Sequence, residues 1–197
     1  MLAGGQSRRM GVSKAWLPFA GESMLVRVLR VLEPVVDVRI VVATPDQALP
    51  PLPQGVQVVR DRVPGRGPLE ALAAGLAVGQ GEVDCFYLSS CDVPLLRESF
   101  VRRMLQLLRP GDAIVVPRDD HRLHPLAGVY RTGVLPVLER MLAADRLRTT
   151  DLFAEVSTRI VETTELRDAD PELLSLRNVN TPADLEDVLR LLGDRTK

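Results

Sequence analysis

Short apolar runs alternate along this chain with longer stretches whose apolar residues recur at helical spacing. That is the pattern of an α/β protein with a mainly parallel sheet. The runs 39–43, 56–59, 85–89, 113–116, 127–130 and 159–162 read as strands. Ile40-Val41-Val42 is apolar on both faces, as a sheet covered on both sides requires. A further strand is expected ahead of Gly4, where Met1, Leu2 and Ala3 stand. Helices are predicted over 23–32, stopping before Pro34; over 69–78, rich in Ala and Leu; and over 99–108, stopping before Pro110. Shorter ones are predicted over 133–144 and 151–156. The last helix has the clearest start, with Thr181 as N-cap, Pro182 at the first position and Asp184 at the third. It continues through Leu185, Val188, Leu189 and Leu192. Residues 50–53 and 118–124 read as exposed loops.

Composition narrows the class. The 197 residues suit one domain. Hydrophobic residues make up 46% and charged residues 26%, the mix of an ordinary globular protein. Lys plus Arg number 25 and Asp plus Glu 26, for a net charge of -1. That balance argues against a protein that coats nucleic acid and against a polybasic membrane binder. No apolar run approaches the ~20 residues of a membrane span. Polar Gln6-Ser7-Arg8-Arg9 interrupts any secretory signal, and cytoplasmic residence is expected. Cys85 and Cys91 make no disulfide framework. With His121 and His124 they lack the spacing of a zinc site, so they read as bystander thiols.

Five segments carry chemistry. The chain opens Leu2-Ala3-Gly4-Gly5-Gln6-Ser7-Arg8-Arg9-Met10-Gly11, with Lys14 soon after. Glycines let the backbone approach a ligand and aim successive N–H groups at one anion. Arg9 and Lys14 add positive charge where a triphosphate would lie. Neither the G-x4-G-K-[ST] loop nor the G-x-G-x-x-G fingerprint fits. A glycine turn followed by a solvated basic loop would also explain these residues. The second segment is Leu88-Ser89-Ser90-Cys91-Asp92-Val93-Pro94. An acid at the C-terminal end of an apolar strand lies where open α/β sheets bind ligands, and it can hold Mg²⁺ against phosphate oxygens. A local Asp turn is the alternative. Third, Asp61 precedes Pro64-Gly65-Arg66-Gly67-Pro68-Leu69 and a helix start. A carboxylate there matches paired N–H donors on a base edge, though a plain connecting loop would look similar. Fourth, Asn178-Val179-Asn180-Thr181-Pro182 precedes a positive helix end, suited to phosphate or to capping alone. Within Arg122-Leu123-His124-Pro125-Leu126, His124 reads either as a phosphate contact or as a surface residue.

Taken together, these segments resemble the molybdenum cofactor guanylyltransferase family, a MobA-like branch of the Rossmann-like nucleotidyltransferases. The resemblance rests on the opening segment with Lys14-Ala15-Trp16-Leu17-Pro18-Phe19, on Pro64–Leu69, on Cys91-Asp92-Val93-Pro94, on 122–126 and on 178–182. Relatives that use CTP tend to show Leu-Ala-Ala-Gly, whereas this chain has Ala3-Gly4-Gly5. The resemblance implies a three-layer nucleotidyltransferase fold with a mainly parallel central sheet. It implies one domain over 1–197, with a nucleotide-binding half over about 1–95 and an acceptor half over about 96–197. The implied reaction moves GMP from GTP to the terminal phosphate of molybdopterin and expels pyrophosphate, with Mg²⁺ as cofactor.

Site roles follow from the same resemblance. Leu2, Ala3, Gly4 and Gly5 would receive the nucleotide, with Thr44 and Asp61 nearby. Thr44 stands where the family often has Asn, and Asp61 would reach the guanine. Lys14, Arg9 and Asp92 would carry catalysis, and Asp92 would bind the metal. Arg8, His124, Asn178 and Asn180 would face the acceptor. A molybdenum insertion protein or an apo-molybdoenzyme is the implied handover partner. Departures from the family are Ser13 in place of a common Asp, Glu70-Ala71 in place of Ala-Gly, and the first strand, which either continues upstream of Met1 or is a stub. These departures leave room for a relative that uses CTP or another phosphorylated acceptor, and for a non-catalytic nucleotide- or cofactor-binding paralogue.

Overall fold

The computed structural model describes residues 1–4, 13–61, 63, 65–120 and 122–193. Gly5, Gln6, Ser7, Arg8, Arg9, Met10, Gly11, Pro64 and His121, all singled out above, lie outside the described residues.

The first elements form a small hairpin, β1 (Pro18–Phe19) paired antiparallel with β2 (Glu22–Ser23). Ala20 and Gly21 turn the corner with positive φ, the geometry a two-residue hairpin demands. Helix α1 (Met24–Leu32) follows, capped where Ser23 Oγ accepts the Val26 N–H. Then come β3 (Arg39–Ala43), β4 (Val56–Arg60), α2 (Pro68–Gly79), β5 (Cys85–Tyr87) and α3 (Glu98–Gln106). The second half holds β6 (Ile114–Arg118), β7 (Val129–Arg131), α4 (Leu135–Ala143), α5 (Thr149–Glu155), β8 (Thr158–Glu162) and α6 (Pro182–Gly193).

β3 and β4 pair in parallel, while the other ladder runs β5-β7-β6-β8. Leu2 links the two ladders by parallel bridges to Val42 and to Ser90. The sheet order is therefore β4-β3-(Leu2)-β5-β7-β6-β8. β7 runs antiparallel to both neighbours, whereas β6 and β8 are parallel. The cause is the connection from β6 to β7, which is too short for a helical crossover and so returns the chain antiparallel. The strand expected ahead of Gly4 is thus a bridging stub. The apolar run 127–130 becomes a strand only from Val129, because Pro125–Ala127 forms a 3-10 turn.

One face of the sheet is covered by α1 and α3, which bury Val28, Leu32, Phe100 and Met104 against Tyr87, Val115, Val129 and Val161. On the other face α2, α4 and α5 bury Leu72, Leu76, Leu138, Leu142 and Leu152 against Val42 and Ile114. A smaller core of Leu17, Phe19, Met24, Leu174, Val179 and Val188 fastens α6 and its preceding loop to the hairpin. That core brings the ends of the chain to the same edge of the sheet. Behind the Leu2 stub, between β3 and β5, lies a cavity of about 540 Å³.

Candidate active site

The site forms at the C-terminal edge of the sheet, where strands end and loops begin. Asp92 follows β5 and the Leu2 bridge, and its carboxylate is held from three directions. Lys14 Nζ donates to Oδ2 at 2.7 Å. Ser90 Oγ and Asn178 Nδ2 donate to Oδ1 at 2.5 and 2.8 Å. Lys14 Nζ also donates to Asn180 Oδ1 at 2.7 Å. The side chains of Lys14 and Asp92 keep 19% and 14% of their exposure, so the pair is sheltered yet within reach of a ligand. Residues far apart in sequence, in the first, second and fourth segments above, therefore meet around one carboxylate.

Backbone bonds set this meeting place. Leu2 N–H donates to Ser89 O at 2.7 Å and Cys91 N–H to Leu2 O at 3.2 Å. Val179 N–H donates to Asp92 O at 2.8 Å, tying the asparagine segment to the aspartate. Asp184 Oδ2 accepts the N–H groups of Asn180 and Thr181, each at 2.8 Å, while Thr181 Oγ1 accepts the Asp184 N–H at 3.2 Å. This reciprocal cap fixes Asn180 at the head of α6 and confirms the helix start read from Thr181-Pro182.

Gly4, Thr44 and Asp61, which the sequence reading expects to meet the nucleotide, gather next to this cluster. A Cβ at Gly4 would stand 3.4 Å from Thr44 Cγ2 and 3.8 Å from Asp61 Oδ2. Asp61 hangs from the β3 end by its N–H to Ala43 O at 2.9 Å. Its Oδ1 is buried without a hydrogen-bond partner among the described residues. Burial pushes its carboxyl above the usual range, helped by the neighbouring negative charge of Glu70. An orphaned carboxylate oxygen is what a base-edge N–H would satisfy. Glu70 itself is 5% exposed and lies 3.6 Å from Arg66.

Beside Asp92 opens a cavity of about 320 Å³ lined by Ser90, Asp92, His124, Ser175, Asn178 and Asn180 among others. His124 is 9% exposed, so the surface reading of this residue is overturned: its ring is packed into the wall of the cavity. Its Nε2 pairs with Asp119 Oδ2 at 2.7 Å. Asp119 Oδ1 accepts the Arg122 N–H at 2.8 Å, and His124 N–H donates to Pro117 O at 2.8 Å. The ring is therefore fixed by its side chain and by its backbone.

Two supporting residues escaped the sequence reading. Gln47 Nε2 donates to Ala3 O at 2.7 Å and its Oε1 accepts the Thr44 N–H at 3.3 Å, locking the first turn to the end of β3. Asp119 orients His124. Neither belongs to a recognisable segment, and no spacing signal marks them. Cys91, by contrast, behaves as read: it is 4% exposed, and burial pushes its thiol up to about 12, so it stays protonated and unreactive. Arg8, Arg9 and Gly5 cannot be placed, being outside the described residues.

Among the described residues no group of three His, Cys, Asp or Glu side chains could enclose a metal ion. No helix of the described residues is long and apolar enough to cross a membrane.

Comparison with known proteins agrees with this architecture. Residues 1–158 match the profile of the MobA-like NTP transferase domain. A probable molybdenum cofactor guanylyltransferase of Carboxydothermus hydrogenoformans is 34% identical, covering 98% of this chain and 95% of that one. The molybdenum cofactor guanylyltransferase of Desulfosudis oleivorans is 32% identical over 94% and 91% of the two chains. Among solved structures, molybdopterin-guanine dinucleotide biosynthesis protein A of Archaeoglobus fulgidus superposes with a TM-score of 0.81 at 20% identity, covering 98% and 97%. The 2-C-methyl-D-erythritol 4-phosphate cytidylyltransferase of Thermus thermophilus gives 0.70 at 16% identity, covering 94% and 96%. These two share the fold. With the profile match over most of its length and relatives above 30% identity along nearly all of it, the chain belongs to the MobA-like NTP transferase family.

Proposed function

We propose that this chain transfers GMP from GTP to the terminal phosphate of molybdopterin and releases pyrophosphate. The observation that carries the reading is the convergence of Lys14, Asp92, Asn178 and Asn180 at one edge, beside Asp61, whose Oδ1 has no partner among the described residues. The names of the relatives support the choice of GTP and molybdopterin.

The chemistry asks little of side-chain acids and bases. The attacking group is already an anionic phosphate, so no general base is needed. The difficulty is to bring two anions together and to stabilise the charge that builds up on departing pyrophosphate. Lys14 serves that end: its ammonium, now shared between Asp92 and Asn180, has the reach to turn onto a triphosphate. Asp61 reads the base with the oxygen that finds no partner among the described residues. Asn178 and Asn180 offer amide donors on the acceptor side, and His124 offers a ring fixed in place by Asp119.

The donor set around Asp92 suits Mg²⁺. A single sheltered carboxylate is enough, because Mg²⁺ is usually held by one or two carboxylates with phosphate oxygens and waters completing the shell. Asp92 is the residue that would hold it, and Mg²⁺ when bound supplies charge neutralisation at the phosphates. Lys14, Asn178 and Ser90 keep that carboxylate oriented in the free protein. The product then passes to a molybdenum insertion protein or an apo-molybdoenzyme.

The test is pyrophosphate release from each of GTP, CTP, ATP and UTP with Mg²⁺ and molybdopterin. Release with GTP alone supports the proposal. Release with CTP, or with another phosphorylated acceptor only, overturns the substrate assignment. Nucleotide binding without any release overturns the enzyme.

A further inference from the structure

Ser175 is 1% exposed and stands in the wall of the cavity of about 320 Å³ beside Asp92. Other polar side chains of that wall are engaged with protein partners. Ser90 and Asn178 donate to Asp92, and His124 pairs with Asp119. Ser175 differs. Its Oγ accepts the Arg97 N–H at 3.0 Å, and among the described residues its own O–H donates to nothing. A hydroxyl that accepts one bond still has a donor to place, and polar groups shut away from water are nearly always paired.

The same loop carries a buried carboxylate that the proposed reaction does not use. Asp170 is 0% exposed. Its Oδ2 accepts the Ser175 N–H at 2.7 Å, and its Oδ1 faces Arg97 Nε at 3.3 Å without a hydrogen bond. Between Asp170 and Ser175, Leu173 holds φ +54°, a left-handed conformation that leucine rarely adopts. Asp170 O accepts the Leu173 N–H at 3.0 Å and Leu173 O accepts the Leu176 N–H at 3.1 Å, so the surrounding bonds hold the strained turn. A buried ion pair is a weak source of stability, and a left-handed leucine is none at all. What the two achieve together is to fix Ser175 by its N–H from one side and by its Oγ from the other.

Building on the proposed transfer to molybdopterin, we infer that Ser175 is a further acceptor-binding residue, whose hydroxyl donates to an oxygen of the phosphorylated acceptor, and that Asp170 with Arg97 positions it. The neighbouring side chains of Val93, Leu126, Ala127 and Leu176 are apolar and offer such an oxygen no proton. No bond is made or broken in this contact. Its contribution is binding and orientation, so it belongs in the affinity for the acceptor and not in the affinity for GTP.

The experiment titrates molybdopterin into the parent and into Ser175→Ala by calorimetry. Pyrophosphate release at varied molybdopterin and varied GTP is measured beside a thermal melt. Ser175→Ala is expected to raise Kd and KM for molybdopterin roughly tenfold, with KM for GTP unchanged. An unchanged Kd overturns the proposal. So does an equal loss of GTP affinity with a lowered melting temperature, since Ser175 would then only fasten its loop to α3. Asp170→Asn keeps an oxygen for the Ser175 N–H and removes the charge that faces Arg97. It should raise the same Kd severalfold in the parent and not at all on top of Ser175→Ala. A further rise in the double variant takes the positioning role away from Asp170. Arg97→Gln runs the same cycle from the more exposed partner should Asp170→Asn fail to fold. A parent that binds molybdopterin but releases no pyrophosphate defeats the proposed transfer alone and leaves the titration to decide on Ser175. A parent that binds none defeats both.

Discussion

Replacing Asp92 by Asn should separate catalysis from folding. The substitution keeps the size of the side chain and the oxygen that Asn178 and Ser90 can reach. It removes the charge that faces Lys14 and turns an amide toward the ammonium. Hydrogen bonds to charged groups contribute about 1.5–3 kcal/mol when buried, and this pair is partly open to solvent, so a cost of roughly 1–2 kcal/mol is expected. For a domain of this size that lowers the melting temperature by about 2–8 °C. Turnover should fall much further. Loss of one fixed electrostatic contributor in comparable sites lowers rates on the order of 10²–10³-fold, equivalent to roughly 3–4 kcal/mol of transition-state stabilisation. The proposed Mg²⁺ ligand is lost at the same time. The assay is pyrophosphate release at saturating GTP and molybdopterin, read beside a thermal melt and a circular dichroism spectrum of the same preparation. A variant that turns over within about tenfold of the parent refutes the assignment of Asp92. A variant that melts more than about 15 °C lower with altered secondary structure refutes the separation, and makes Asp92 a structural residue.

Lys14→Ala should show the same pattern, with near-normal melting and lost turnover, measured in the same two assays. Asp61→Asn should weaken GTP binding on the order of tenfold or more by titration calorimetry, because one donor-facing charge is gone. The Asp61 carboxyl is raised in the folded state, so its contribution to stability is complete below its unfolded value and is lost as pH rises through the folded one. GTP affinity should rise over the same interval, and both slopes should vanish in the Asn variant. Asp119→Asn should raise KM for molybdopterin on the order of tenfold while leaving KM for GTP unchanged, since it frees the His124 ring in the acceptor cavity only.

Much of the fold is legible in the chain because its strands and helices carry unmixed periods. The runs 39–43 and 56–59 read as strands and pair in parallel, and Thr181 and Pro182 mark a helix start by a cap that the structure repeats. What failed to show has physical causes. The β1–β2 hairpin is two residues on each arm, too short for any alternation to register, and its turn is Ala20-Gly21 rather than a stronger Asn-Gly signal. The antiparallel course of β7 follows from a short connection that looks, in sequence, like any other exposed loop. The run 127–130 reads as a strand throughout, but Pro125 opens a 3-10 turn that takes Ala127 and has Gly128 as its C-cap.

The candidate site shows where local reading stops. Each of its segments was equivocal alone: a glycine turn, an Asp turn, an Asn cap. What separates function from local duty is that Lys14 and Asn178 share one carboxylate across 78 and 86 residues of sequence. No local pattern encodes that meeting. It is produced by the sheet, which carries Asp92 to the end of β5 beside the Leu2 bridge, and by the small core of Phe19, Val179 and Val188, which folds the chain's last segment over its first. Gln47 and Asp119 were invisible for a related reason. Each is a polar residue in a loop whose only distinction is the atom it touches, Ala3 O in one case and His124 Nε2 in the other. The residues that contact a ligand come with recognisable segments, because their backbone geometry constrains their neighbours. The residues that hold those in place need only one well-aimed hydrogen bond, and a loop of almost any sequence can supply it.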